Sequence, residues 1–284
     1  MNSGAKLLVR YLDELAQVTD EPGKLTRTFL SPAMGRANAV VADWMHAAGL
    51  ATRVDSTGNL VGRLESPTGA RARTLLLGSH LDTVRDAGRF DGPLGVLLPI
   101  VALAELRRRN VALPFAVEVL GFSEEEGVRF ASAYLGSKGY SGQLRASDLN
   151  FADAKGVTIR AALEAHNGGS FALPNPAHRT RELLGYVEVH IEQGPVLEAK
   201  KLAVGVVSAI AGQTRAKLVF KGRAGHAGTT PMNLRRDALA GAAEFTLAAE
   251  ALAKRTPGLV ATVGTMTVAP GAANVIPAEA TFSL

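Results

Sequence analysis

The chain has 284 residues, 47% of them hydrophobic, 20% charged and 5% aromatic, with a formal charge of +5 and no cysteine. That is the composition of an ordinary globular protein, and the length allows one large domain or a large one with a smaller companion. Without cysteine there can be no disulfide, thiolate metal site or cysteine nucleophile, so any metal has to be held by His, Asp and Glu.

The positive charge is spread over scattered arginines, in pieces such as Arg71–Arg73 and Arg107–Arg109, which read as solvated faces. Basic residues interleaved with aromatics, or a known reading module, would be needed for a nucleic-acid surface, and neither is found. The excess charge suits an anionic small molecule instead. Met1–Gln17 reads as an amphipathic helix with Leu7, Leu8, Tyr11, Leu12 and Leu15 on one stripe, and lacks the parts of a signal peptide. The most apolar stretch, Val96–Leu106, is too short for a membrane span and contains Pro99. A cytoplasmic protein with no membrane partner is expected.

Along the chain, short β-rich runs alternate with helical patterns, which predicts an α/β layer architecture. Thr74–Leu77 is a buried-strand candidate followed by GSHLDTV, and Pro93–Arg109 is a helix. Phe115–Phe122 is a second strand, followed by SEEEGVRF, and Leu184–Ile191 a third, ending in HIEQGP. Ser141–Arg179, rich in Gly, Asn and Pro, reads as connecting and rim structure. The texture changes after Gly205. Thr214–Phe220 reads as a strand, Leu234–Lys254 as a helix, Gly258–Val268 as a strand and Asn274–Leu284 as the start of another. This order predicts a small α+β domain over 212–284 behind a larger one over 1–211.

Each apolar strand empties into ionisable residues, and ligands bind at the carboxyl ends of strands in open α/β sheets. His80 and Asp82 lie two apart, so on an extended segment they point the same way. Asp91 follows in FDGPLGV, where Gly92 and Gly95 permit a close turn into a helix. Glu124, Glu125 and Glu126 form a run of carboxylates, and His190 and Glu192 alternate again. Taken singly, each has a bland reading: a hydrogen-bonded histidine, a solvated helix N-terminus, a helix cap. Together, imidazole and carboxylate without thiolate make the ligand set of zinc or manganese in a hydrolytic site. Two close cations would explain how so many acids coexist.

GSHLDTV, FDGPLGV, SEEEGVRF, HIEQGPVLE and GHAGTTPM, in this order, resemble the di-zinc aminoacylase/carboxypeptidase superfamily, and within it the hydantoinase/carbamoylase amidohydrolases. The resemblance covers essentially the whole chain. It implies a metallopeptidase-like catalytic domain, with a mixed sheet between helices, and a smaller ferredoxin-like lid and dimerisation domain. It also implies two divalent ions, zinc or manganese, and a homodimer. By motif, His80 and His190 would bind the first metal, Asp91 would bridge, and Glu126 would bind the second. Glu125 would be the general base and Asp82 would orient His80. Gln193, His226 and Asn274 resemble substrate contacts. His46, His166 and His178 sit in no motif and are expected at the surface or rim.

Relatives of this kind continue beyond a strand like AEATFSL into a substrate-gripping arginine and a last metal-binding histidine, which follow no residue here. A truncated chain with little or no activity is therefore expected. For the substrate, TVRDAGRFDGPLGV resembles allantoate amidohydrolases, making allantoate the first choice and the substrate of an N-carbamoyl-L-amino acid hydrolase or a β-ureidopropionase the second. A dipeptidase is disfavoured by HIEQGP, and a non-catalytic binding homologue by the intact Glu125.

Overall fold

A computed structural model describes residues 3–69, 72–175 and 183–284. The chain divides into two compact units, Met1–Ala203 and Val204–Leu284.

The first unit opens with helix α1 (Ser3–Ala16), whose buried Leu12 and Leu15 continue the stripe read from the sequence. Helix α2 (Pro32–Ala47) starts where Ser31 accepts the amide of Met34 and Pro32 takes the first helical position, which suits a residue with no N–H to place. Strands β1 (Ala51–Val54) and β2 (Leu60–Leu64) form a hairpin, followed by β3 (Thr74–His80), helix α3 (Pro93–Arg108) and β4 (Ala116–Phe122). Helices α4 (Leu135–Ser141) and α5 (Ile159–His166) precede β5 (Leu183–Val187) and a short helix, α6 (Val196–Ala199).

The sheet runs β1-β2-β4-β3-β5. β3 pairs in parallel with β4 and with β5, while β1–β2 and β2–β4 are antiparallel. Helices α1, α2 and α3 cover one face, where Leu12, Met34, Met45, Leu60, Leu97, Ile100 and Val119 are all at most 2% exposed. On the other face Val61, Leu76 and Leu120 pack with Phe122 and Tyr140. This is the mixed sheet between helices that the motifs imply. The parallel pairing puts the carboxyl ends of β3 and β4 side by side, with His80 opposite Phe122.

The second unit holds β6 (Lys217–Lys221), α7 (Ala238–Arg255), β7 (Met266–Ala269) and β8 (Glu279–Ser283). Its antiparallel sheet has the order β6-β8-β7. Ala238 and Ala242 of α7 pack on Phe282 with Phe220 and Phe245. The rings of Phe220 and Phe245 lie 5.4 Å and 5.6 Å from that of Phe282.

Several elements are shorter than their sequence patterns. The Gly258–Val268 run pairs only from Met266, because β8 offers a ladder ending at Met266↔Phe282. Helix α7 begins at Ala238 rather than Leu234, because the Asp237 carboxylate accepts the amides of Leu239 and Ala240 and fixes the start there. The Leu184–Ile191 run leaves the sheet after Val187, and Glu188 takes the Ser79 hydroxyl at 2.5 Å instead of extending the ladder. His178 and the end of the Ser141–Arg179 segment lie outside the described residues. His46 and His166 are exposed, and His46 Nε2 lies 2.7 Å from the hydroxyl of Thr52. Among the described residues, no helix is long and apolar enough to cross a membrane.

Candidate metal centre

β3 ends at His80, which is 3% exposed. Its Nδ1 lies 2.8 Å from the backbone carbonyl of Asp82. A carbonyl only accepts, so Nδ1 carries the proton and the Nε2 lone pair of the neutral ring is free to face outward. His190 repeats the device, with Nδ1 2.9 Å from the carbonyl of Ile191. The two rings stack with centroids 5.9 Å apart.

Both Nε2 atoms face one oxygen. Asp91 Oδ1 lies 3.3 Å from His190 Nε2 and 3.9 Å from His80 Nε2. That oxygen is buried and accepts no hydrogen bond, although an orphaned buried carboxylate oxygen is costly. The other oxygen, Oδ2, accepts the side-chain amide of Gln193 at 2.8 Å. His80, Asp91 and His190 each bring a donor atom within 4.8 Å of the others, and so do His80, Glu125 and Glu126. Two imidazole lone pairs converging on an unpartnered carboxylate oxygen fit a borderline divalent cation, for which that orphaned oxygen is a ligand atom.

Gly92 caps α3 with a left-handed φ of 82°. A Cβ there would lie 2.5 Å from His80 Cε1, so only glycine lets the start of α3 press on the imidazole. At Gly95, one turn on, a Cβ would meet Ser79 Cβ at 2.6 Å and the Val189 carbonyl at 2.5 Å. Both glycines therefore bring Asp91 close to the two histidine-bearing segments.

The glutamate run is not a helix N-terminus but a tight turn after β4. Glu124 has a φ of 48°, unusual for a non-glycine residue. Its side chain points inward, fully buried, where Oε1 accepts the amides of Arg129 and Phe130. Glu125 and Glu126 are left facing the histidines, with Glu125 Oε2 3.9 Å from His80 Nε2. Asp82, 1% exposed, fastens this turn from below. Its carboxylate accepts the backbone amides of Glu125 at 3.1 Å and Glu126 at 3.2 Å. The same carboxylate is 3.7 Å from His80 Nδ1, so the ring's hydrogen bond goes to the Asp82 backbone rather than its side chain.

Crowding of acids shows in the electrostatics. Burial pushes Glu125, Glu126 and Asp82 above the usual carboxylate range, with the charge of His80 opposing in each case. Burial and the nearby Asp82 charge push Glu124 up to about 7. Burial alone would lower His80, but Asp82, Glu125 and Glu126 outweigh it and raise the imidazole. A cation among these groups would remove the mutual penalty.

Glu192, which alternates with His190 in the sequence, turns away, and its carboxylate accepts the amide of Leu197 at the start of α6. His226 and Asn274 lie in the second unit and are neighbours there. His226 bridges Val275, and the amide of Ala227 donates to the Asn274 carbonyl at 2.9 Å.

Sequence reading missed the support on the other side of the glutamate turn. Asn59 is fully buried between β1 and β2. It accepts the amide of Ser123 at 3.0 Å, donates to the Gly136 carbonyl at 3.0 Å and donates to Asp55 at 2.9 Å. Its signal was the turn Asp55-Ser-Thr-Gly-Asn59, which reads on its own as an ordinary hairpin connection.

Residues 76–279 match the peptidase family M20/M25/M40. The chain is 43% identical over 299 residues to allantoate deiminase of Arabidopsis thaliana, covering 97% of this chain and 57% of that protein. It is 41% identical over 285 residues to N-carbamoyl-L-amino acid amidohydrolase of Geobacillus stearothermophilus, covering 100% of this chain and 69% of that protein. A solved hydantoinase/carbamoylase family amidase from Burkholderia multivorans superposes with a TM-score of 0.84 at 33% identity, over 99% of this chain and 68% of that one. The chain spans about three fifths of the length of the plant allantoate deiminases it matches. The chain belongs to the peptidase family M20/M25/M40, among its hydantoinase/carbamoylase amidohydrolases.

Proposed function

We propose that this chain carries a two-metal hydrolytic centre that cleaves a linear C–N bond in a ureido acid, allantoate first among the candidates. One observation carries the reading: the orphaned Asp91 Oδ1 faced by two imidazole Nε2 atoms. His80 and His190 would hold one zinc or manganese ion together with Asp91, and Asp91 and Glu126 would hold the other. When bound, such ions polarise the scissile carbonyl and make a water acidic enough to act as nucleophile at neutral pH.

The chain's own residues do the rest. Glu125 stands free of backbone duties at its carboxylate, 3.9 Å from His80 Nε2. It accepts the proton of the attacking water and passes it to the departing nitrogen, so the amine leaves neutral. Asp82 holds the amides of Glu125 and Glu126 and so fixes the base relative to the imidazole. Gln193, whose amide donates to Asp91 Oδ2, is a substrate contact in this reading, as are His226 and Asn274 of the second unit. The second unit is also the dimer-forming element in this reading.

Allantoate is supported by the 45% identity to a rice protein and 43% to the Arabidopsis allantoate deiminase. The products would be a ureidoglycine or ureidoglycolate, ammonia and carbon dioxide. An N-carbamoyl-L-amino acid is the second reading, favoured by the Geobacillus relative matched along the entire chain. Metal analysis combined with turnover assays on allantoate and on N-carbamoyl amino acids tests both. Two equivalents of metal are expected, and turnover by a protein carrying this sequence at its relatives' full length is expected to prefer allantoate. Exclusive turnover of the carbamoyl compounds would reverse the choice, and failure to bind zinc or manganese would refute the centre itself.

A further inference from the structure

Among the described residues, Arg27 is the bulkiest of the fully buried side chains, a cation at 0% exposure in a segment with no ligand of its own. Its guanidinium ties two parts of the first unit together. Nε donates to the carbonyl of Leu81 at 3.0 Å, and Nη1 donates to the carbonyls of Leu15 at 2.9 Å and Val18 at 3.1 Å. The last two acceptors lie at the C-terminal end of α1 and just beyond it, where helix carbonyls lack partners within the helix. Leu81 stands between His80 and Asp82.

The backbone around Arg27 grips the same segment. Arg27 N donates to Thr83 Oγ1 at 2.9 Å, and Thr83 N donates back to the Arg27 carbonyl at 2.9 Å. Further along, Asp86 N donates to Thr26 Oγ1 and Ala87 N to the Leu25 carbonyl. The stretch from Leu81 to Ala87 is thus laid against Leu25–Arg27. It lies between His80 and Asp91 in the chain; its first amide, Leu81 N, still donates to the Phe122 carbonyl of β4 at 3.1 Å, and the residues after Leu81 belong to no strand. Asp82 sits in this stretch, 1% exposed.

From this geometry we propose that Arg27 is a positioning residue for the metal centre, holding the His80–Thr83 segment in register and with it Asp82 under Glu125 and Glu126. It touches neither substrate nor metal. A lysine would keep the charge but not the planar array of donors that reaches Leu81, Leu15 and Val18 together.

This inference rests on the metal-centre reading above, and its test separates the two. Zinc affinity is measured on the chelator-treated full chain by competition with a chromophoric chelator, and folding by circular dichroism and thermal unfolding. Arg27→Lys and Arg27→Met are expected to bind zinc about tenfold more weakly or worse, the usual effect of losing support behind a ligand. Met45→Ala, a core truncation in α2 that meets no ligand, serves as a stability-matched control. It is expected to unfold at lower temperature with zinc affinity unchanged.

Parental zinc affinity in both Arg27 variants would overturn the proposal, and so would an equal loss in Met45→Ala. Should the Arg27 variants fail to fold, Thr83→Val removes a single clamp and is expected to weaken zinc about fivefold, the worth of one buried hydrogen bond. No change there would overturn the proposal as well. If the parent chain binds no zinc, the metal-centre reading fails, and this inference with it.

Discussion

Asp82 Oδ1 accepts the backbone amide of Glu125 at 3.1 Å. Its other oxygen accepts the amide of Glu126 at 3.2 Å, so one buried carboxylate fixes the two glutamates that face the histidines. Asp82→Asn keeps the size but offers a single acceptor oxygen, leaving a buried N–H with an NH₂ group opposite. Unfolding in urea is expected to show a loss of about 1–3 kcal/mol, the cost of one unsatisfied buried donor. Metal affinity should fall about 10- to 100-fold alongside. Unaltered stability and affinity would mean that this pair of hydrogen bonds holds nothing in place.

Glu125→Gln separates binding from chemistry. An amide at this position cannot take up a proton, yet it is nearly the same size as the acid. Measured in a protein carrying this sequence at the full length of its relatives, turnover of a ureido acid is expected to drop about 10²- to 10⁴-fold, the usual share of a general base. Metal content by elemental analysis should stay at the parental level, because Glu125 is assigned as base and not as ligand. A variant that retains its rate would transfer the role of base to another carboxylate, and one that loses its metal would make Glu125 a ligand.

Gly92→Ala probes the contact between the start of α3 and His80. The added Cβ would sit 2.5 Å from the imidazole and 2.6 Å from the His80 carbonyl, and the backbone there has a φ of 82°. A left-handed alanine costs about 1 kcal/mol by itself, and the clash has to be relieved by moving His80 or Asp91. Denaturation and metal titration are expected to show a larger loss than for Gly23→Ala, where φ is 78° and a Cβ meets nothing within 4 Å. Equal effects at the two glycines would mean that the His80 contact adds nothing to the backbone strain.

Much of this was legible in the sequence because the main signals are local. Thr74–His80 and Ala116–Phe122 are largely apolar runs, the first ending in His80 and the second followed at once by the glutamates, and burial on both faces of a parallel pair demands such runs. Glu192 was misleading for the opposite reason. Period-two alternation with His190 has meaning only on a strand, and the chain has left the sheet by Glu188, so Glu192 serves the start of α6. Arg27 and Asn59 were invisible as supports of the segments that carry these side chains. Their contacts to Leu81, Ser123 and Gly136 span 54 to 77 positions in sequence, and no pattern within one segment encodes them.

Metal should also be worth stability, because the acids and imidazoles that would bind it are brought together only in the folded chain. At a concentration 100 times the dissociation constant, a ligand of the native state alone adds about 2.7 kcal/mol. Chelator-treated chain is therefore expected to unfold at lower temperature than chain resupplied with zinc or manganese, with the gap widening as metal is added. The burial that raises Glu125, Glu126 and Asp82 works in the same direction, since a cation relieves repulsion present only in the fold. His190→Ala removes one donor of the His80–Asp91–His190 group and should shrink the metal-dependent gap while changing the chelated protein little, because His190 is 30% exposed at its side chain. Calorimetry on the parent and this variant, each with and without metal, measures both gaps. Equal gaps would exclude His190 from the centre and leave Asp91 Oδ1 facing His80 alone.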